Sequence, residues 1–143
     1  MKIYFAGSIR GGREDWENYA AIIQQLRLFG DVLTEHVGDG TLFNDGEAHT
    51  DREIHDRDLQ WLNEADCIVA EVTTPSLGVG YEIACASGWR KPILCLYRLN
   101  SHRRLSAMIA GCPQAIVKSY RDMLQLNAIL TEFFEKSLSE IEQ

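Results

Sequence analysis

Cys67-Ile68-Val69-Ala70-Glu71-Val72 runs through Thr73-Thr74-Pro75-Ser76 into Leu77-Gly78-Val79-Gly80-Tyr81-Glu82. The first six residues are almost continuously apolar, the signature of a strand covered on both faces at the centre of a parallel sheet. A helix follows from near Ser76, whose hydroxyl suits an N-cap, to about Trp89. Parallel neighbours need crossover connections, so the flanking sequence should alternate strands with helices. It does so in both directions. Upstream, Ile3-Tyr4-Phe5-Ala6 is a β-prone run ending at Gly7, with Trp16, Tyr19, Ile23 and Leu26 at helical spacing after it. Asp31-Val32-Leu33-Thr34 makes a short strand, and 35–49 a long loop rich in Gly, Asp, Asn and His. Thr50-Asp51-Arg52-Glu53 has the spacing of a capping box that opens a helix over about 51–64. Downstream, Pro92 to Tyr97 is a fourth strand, Ala115-Ile116-Val117 a short fifth, and Met123 to Leu138 an amphipathic helix. This alternation predicts an α/β fold, a five-stranded parallel sheet with helices on both faces and the flavodoxin-like (Rossmann-like) order 2-1-3-4-5.

The chain is 143 residues with 45% hydrophobic content, enough for one domain over 1–143 with a core of its own. Its formal charge of −7, with no basic run, argues against a nucleic-acid or anionic membrane partner. The four cysteines form no C-x-x-C pair and share no ligand spacing with the histidines, so they read as reduced thiols of a cytoplasmic protein without a metal site. No stretch approaches 18 apolar residues, and the opening Met1 to Ala6 is too short for a signal-peptide core.

In the 2-1-3-4-5 order the topological switch lies between strands 1 and 3, where ligands bind at the carboxyl ends of the strands. The loops meeting there are Gly7 to Gly12 and Thr73 to Gly80. Gly7-Ser8-Ile9-Arg10-Gly11-Gly12 offers backbone N–H groups, a hydroxyl and a guanidinium, a set suited to a phosphate, although it is neither a Walker loop nor a dinucleotide fingerprint. Two carboxylates stand out. Asp58 falls on the apolar stripe Ile54, Trp61, Leu62, Ala65 of its helix, where it is either an ion-paired structural group or a proton donor with a raised pKa. Glu82 lies about one turn into its helix, whose N-terminus favours the ionised form, and Gly78 and Gly80 clear space around it. Two carboxylates on one pocket are what glycosidic cleavage uses. Tyr4 either hydrogen-bonds such a carboxylate or packs in the core, and His36, His49 and His55 by the long loop have solvated or capping roles as their ordinary reading.

The blocks Tyr4 to Asp15, Leu33 to Val37, Ile54-His55 with Asp58-Leu59 and Trp61-Leu62, Ala70 to Thr73 with Pro75 to Glu82, and Leu105 to Ile109 together resemble the 2'-deoxynucleoside 5'-phosphate N-hydrolase family. That family lies within the nucleoside 2-deoxyribosyltransferase superfamily of flavodoxin-like folds. The resemblance covers most of the chain, with Gly38 to His49 and the region after Gly111 outside it. It implies hydrolysis of the N-glycosidic bond of deoxynucleoside 5'-monophosphates to free base and 2-deoxyribose 5-phosphate, without metal or organic cofactor. By the same resemblance Glu82 is the nucleophile, Asp58 assists protonation of the leaving base, and Tyr4 orients the nucleophile. Ser8, Arg10 and Ser76 match the phosphate-binding groups, and Ile9 and His36 line base and sugar, while Gly7, Gly12 and Gly78 join the substrate site from the reading of the two loops. Ser106 is donated across a homodimer interface. Leu105, Met108 and Ile109 form an apolar patch beside it. The competing expectations are a deoxyribosyltransferase, which passes the sugar to a second base, and a non-catalytic nucleotide-binding module.

Overall fold

In the computed structural model the described residues are 1–9, 13–34, 49–99 and 102–141. The expectations for Arg10, Gly12 and His36, and for the loop over 35–48, fall outside them. The elements are β1 (Lys2–Gly7), α1 (Arg13–Leu26), β2 (Asp31–Val32), α2 (Asp51–Glu64), β3 (Cys67–Glu71), α3 (Leu77–Gly88), β4 (Ile93–Arg98), α4 (Ala107–Ala110), β5 (Ala115–Tyr120) and α5 (Met123–Ile141). The five strands are parallel in the order β2-β1-β3-β4-β5, as the alternation predicts.

Alternation along β1 divides the core in two. Ile3 and Phe5 turn toward α1 and α5, where they join Tyr19, Ile22, Leu26, Leu130 and Phe134. Tyr4 and Ala6 turn the other way, onto Leu62 of α2 and Val79 and Ile83 of α3. A hydroxyl on the even positions of β1 therefore points toward the α2/α3 layer, which fixes where Tyr4 can act. β3 lies between β1 and β4 with every residue buried, which accounts for its unbroken apolar character.

Three boundaries and one cap differ from the sequence expectation. The second strand stops at Val32 because Thr34 takes over pairing with its side chain: its Oγ1 accepts from Phe5 N at 2.8 Å and donates to Phe5 O at 2.6 Å. The fifth strand continues to Tyr120 and pairs along all of β4, its polar Lys118 and Ser119 being tolerated on an edge strand. The last helix extends to Ile141. Half of the capping box forms: Thr50 Oγ1 accepts from Glu53 N at 3.2 Å, while the Glu53 carboxylate turns to the His49 ring at 3.1 Å.

Candidate active site

At the carboxyl ends of β1 and β3, α2 and α3 approach each other and border an open cavity of about 390 Å³. Asp58, one and two turns beyond Ile54 and Asp51, lines it from α2, and Glu82 lines it from α3 with Leu77, Gly78 and Tyr81. The expected carboxylate pair thus shares one pocket. The apolar stripe of α2 is complete only at its C-terminal end, where Leu62 is fully buried; Ile54 and Asp58 are half-buried because that half of the helix faces the cavity instead of the core.

The electrostatics of the pair reverse the sequence expectation. Glu82, expected to be held ionised by its helix terminus, is pushed up to about 7. Burial dominates, the Tyr4 hydrogen bond pulls the other way, and the charge of Asp58 adds to the rise. Asp58 is paired with Arg57, whose Nε and Nη2 donate to its Oδ1 at 3.0 and 2.8 Å, and it still lines the cavity. Tyr4, 2% exposed, gives its hydroxyl to Glu82, and burial together with the Glu82 and Asp58 charges strongly favours the neutral phenol, so it stays a donor. His55 and Tyr81 flank the mouth, with His55 Nε2 3.1 Å from the Tyr81 hydroxyl and Nδ1 2.9 Å from Asp56.

The loop residues sort into two groups. Gly7 is required by packing, since a Cβ there would lie 2.9 Å from the Tyr19 ring, and Ser8 follows it, buried. Ile9 is exposed at 41% beside them. Ser76 caps α3 by accepting from Val79 N at 3.3 Å, and a Cβ on Gly78 would sit 3.8 Å from Ser76 Oγ and 4.0 Å from Glu82 Oε1. Gly78 therefore does border both groups. Gly80 does not: it lines a second groove of about 710 Å³, along with Ser76, Arg104, Ser106, Met108 and Ile109. Among the described residues no carboxylate lines that groove, which separates it from the acid chemistry although it is the larger. Ser106 caps α4, accepting from Met108 N at 3.2 Å.

Sequence reasoning missed a buried polar network under the switch point. Glu71, 1% exposed, accepts from Thr73 N at 2.7 Å, from Asn18 Nδ2 at 3.3 Å and from the Tyr120 hydroxyl. Asp15 takes Arg98 Nη2 at 2.8 Å and the hydroxyl of Thr74. These bonds tie the start of α1 to the β3–α3 loop. The available signal was Glu71 itself, a charge in an otherwise apolar central strand that must find partners when buried.

The nucleoside 2-deoxyribosyltransferase family model matches residues 3–132, and the chain belongs to that family. At finer grain, the chain is 51% identical over 138 residues to a 5-hydroxymethyl-dUMP N-hydrolase of Tetraodon nigroviridis, covering 94% of this chain and 97% of the relative. It is also 51% identical over 138 residues to the Homo sapiens protein of the same name, covering 93% of this chain and 79% of that one. Among solved structures, a CMP N-glycosidase of Clostridium botulinum superposes with a TM-score of 0.66 at 17% identity, covering 93% and 99% of the two chains, a likeness of fold.

Proposed function

We propose that this protein hydrolyses the N-glycosidic bond of 2'-deoxynucleoside 5'-monophosphates, releasing the base and 2-deoxyribose 5-phosphate through a glycosyl ester on Glu82. The observation that carries the reading is the pairing of Glu82, bonded to Tyr4, with Asp58 in one cavity at the switch point. Identity near 50% to 5-hydroxymethyl-dUMP N-hydrolases supports the substrate class and makes that modified pyrimidine nucleotide the first candidate.

In the reactive state Glu82 is ionised and a proton sits on the Asp58 side of the pair. A Glu82 oxygen bonds to C1' as the C1'–N bond breaks, and the bond's electron pair leaves with the base, which takes the Asp58 proton. A deoxyribose lacks the electron-withdrawing 2'-hydroxyl, so positive charge at C1' forms readily. Water then attacks C1', gives its proton to Asp58, and Glu82 departs as a carboxylate, with retention overall. Tyr4 holds the Glu82 oxygen it donates to and turns the other toward the sugar. Ser8, Arg10 and Ser76 seat the 5'-phosphate away from the reacting carbon, supplying binding energy that positions the sugar. No metal or cofactor enters these steps.

The groove that carries Ser106 is the face we assign to a second copy of the chain. Leu77, 96% exposed, and Met108, 82% exposed, line it, a larger apolar display than an isolated subunit favours. Ser106 would reach the partner's phosphate seat. Four free cysteines suit a reducing compartment such as the cytoplasm, and among the described residues no helix is long and apolar enough to cross a membrane. The test is a panel of deoxy- and ribonucleoside monophosphates with free base read by chromatography. Release of base from the deoxynucleotides supports the reading. Base transfer to an added second base at rates matching hydrolysis would favour a transferase, and binding without release a non-catalytic module.

A further inference from the structure

We infer that Arg57 is a positioning residue for the proposed proton transfer, holding one oxygen of Asp58 so that the other is left to the leaving base. This rests on the proposed role of Asp58. Adjacent helix residues point about 100° apart, yet Arg57 folds back until Nε and Nη2 both meet Asp58 Oδ1, at 3.0 and 2.8 Å. Neither bond goes to Oδ2, which keeps its lone pairs for a proton and the substrate. The guanidinium is itself fixed, lying 4.7 Å from the centroid of the Trp61 ring one turn further along α2. Both side chains of the ion pair are only about a quarter exposed, 25% and 24%, so water screens the contact less than on an open surface.

The placement suits what the step requires. When the base takes the proton from Oδ2, Asp58 is left anionic, and a guanidinium already bonded to Oδ1 stabilises that charge without reorganisation. The Arg57 charge also acts on Tyr4, in the sense opposite to those of Glu82 and Asp58. A lysine at 57 could supply the charge but not the two converging N–H groups.

The experiment compares two substrates in wild type, Arg57→Gln, Arg57→Lys, Asp58→Asn and the double variant Arg57→Gln/Asp58→Asn. One is a deoxynucleoside monophosphate, whose base must be protonated to leave. The other is a nitrophenyl 2-deoxyriboside 5-phosphate, whose phenolate leaves unprotonated. Arg57→Gln should slow single-turnover release of base from the nucleotide about 10–100-fold, part of the range for a general acid, with nucleotide binding little changed and single-turnover release of nitrophenolate, which precedes the water step, within about 3-fold of wild type. Arg57→Lys should recover part of the loss, and the double variant should be no worse than Asp58→Asn alone within about 3-fold. Equal losses on both substrates, or additive losses in the double variant, would overturn the inference and leave Arg57 a structural residue. Full nucleotide activity in Arg57→Gln, with Asp58→Asn impaired, would overturn it while sparing the role of Asp58. Full activity in Asp58→Asn would remove both.

Discussion

At the scale of single residues, burial and one hydrogen bond decide what Glu82 can do. Its carboxyl is pushed up to about 7. The reactive pair carries one proton, on the Asp58 side, and above that value the pair loses it, so kcat/KM should fall as pH rises through about 7. A pH–rate profile that climbs steadily from pH 6 to 9 would exclude this sharing of one proton. The same shift makes a stability prediction of the same sense. The folded state keeps the Glu82 proton where the unfolded chain, near the ordinary 4.5, has released it, so native stability falls as pH rises from about 4.5 to 7. Glu82→Gln removes that cost. It should melt above wild type at pH 8, by at most on the order of 3 kcal/mol, converge with it near pH 4, and turn over almost no substrate while still binding it. Asp58→Asn should lose roughly 10²–10⁴-fold in kcat. Both carboxylates were legible in the sequence from their place on helix faces. Their electrostatics were not, because Glu82's burial depends on how closely α2 approaches α3, and the Arg57 partner of Asp58 sits at a neighbouring position that helical spacing points elsewhere.

At the scale of elements, the proposed phosphate seat requires that two loops at the switch point be held in register so that Ser8 and Ser76 face one anion. The Asp15–Arg98–Thr74 contacts and the Glu71 cluster fasten α1 to the loop after β3. Arg98→Leu leaves the buried Asp15 without its cation, and chemical denaturation should register a loss of roughly 3–5 kcal/mol. A loss below about 1 kcal/mol would mean the pair contributes little to joining the loops. Removing the 5'-phosphate from the substrate should cost more in kcat/KM than any one hydrogen bond, and Arg10→Ala should narrow that gap; equal efficiency on nucleosides and nucleotides would contradict the phosphate seat. The strands and their order were readable because apolar runs and crossovers are local signals. The buried network was not, since Asp15, Glu71, Arg98 and Tyr120 come from four elements that meet only once the sheet has formed. The early end of β2 was equally hidden, resting on a side-chain substitution for backbone pairing by Thr34.

At the scale of the whole molecule, the exposed groove with Leu77, Met108 and Ser106 predicts a homodimer, and Met108→Glu should shift it toward monomer in sedimentation velocity. A strictly monomeric, fully active wild-type protein would contradict the second copy. The proposed function turns on covalent capture of the sugar by Glu82, which separates this chemistry from direct attack by water. The most direct test runs the reaction in dilute methanol and reads the methyl 2-deoxyriboside 5-phosphate by proton NMR before anomers equilibrate. Two inversions at the anomeric carbon should give the β-methyl product in wild type and no product in Glu82→Gln. An α-methyl product as the first species formed would contradict the glycosyl ester and make Glu82 a base for water.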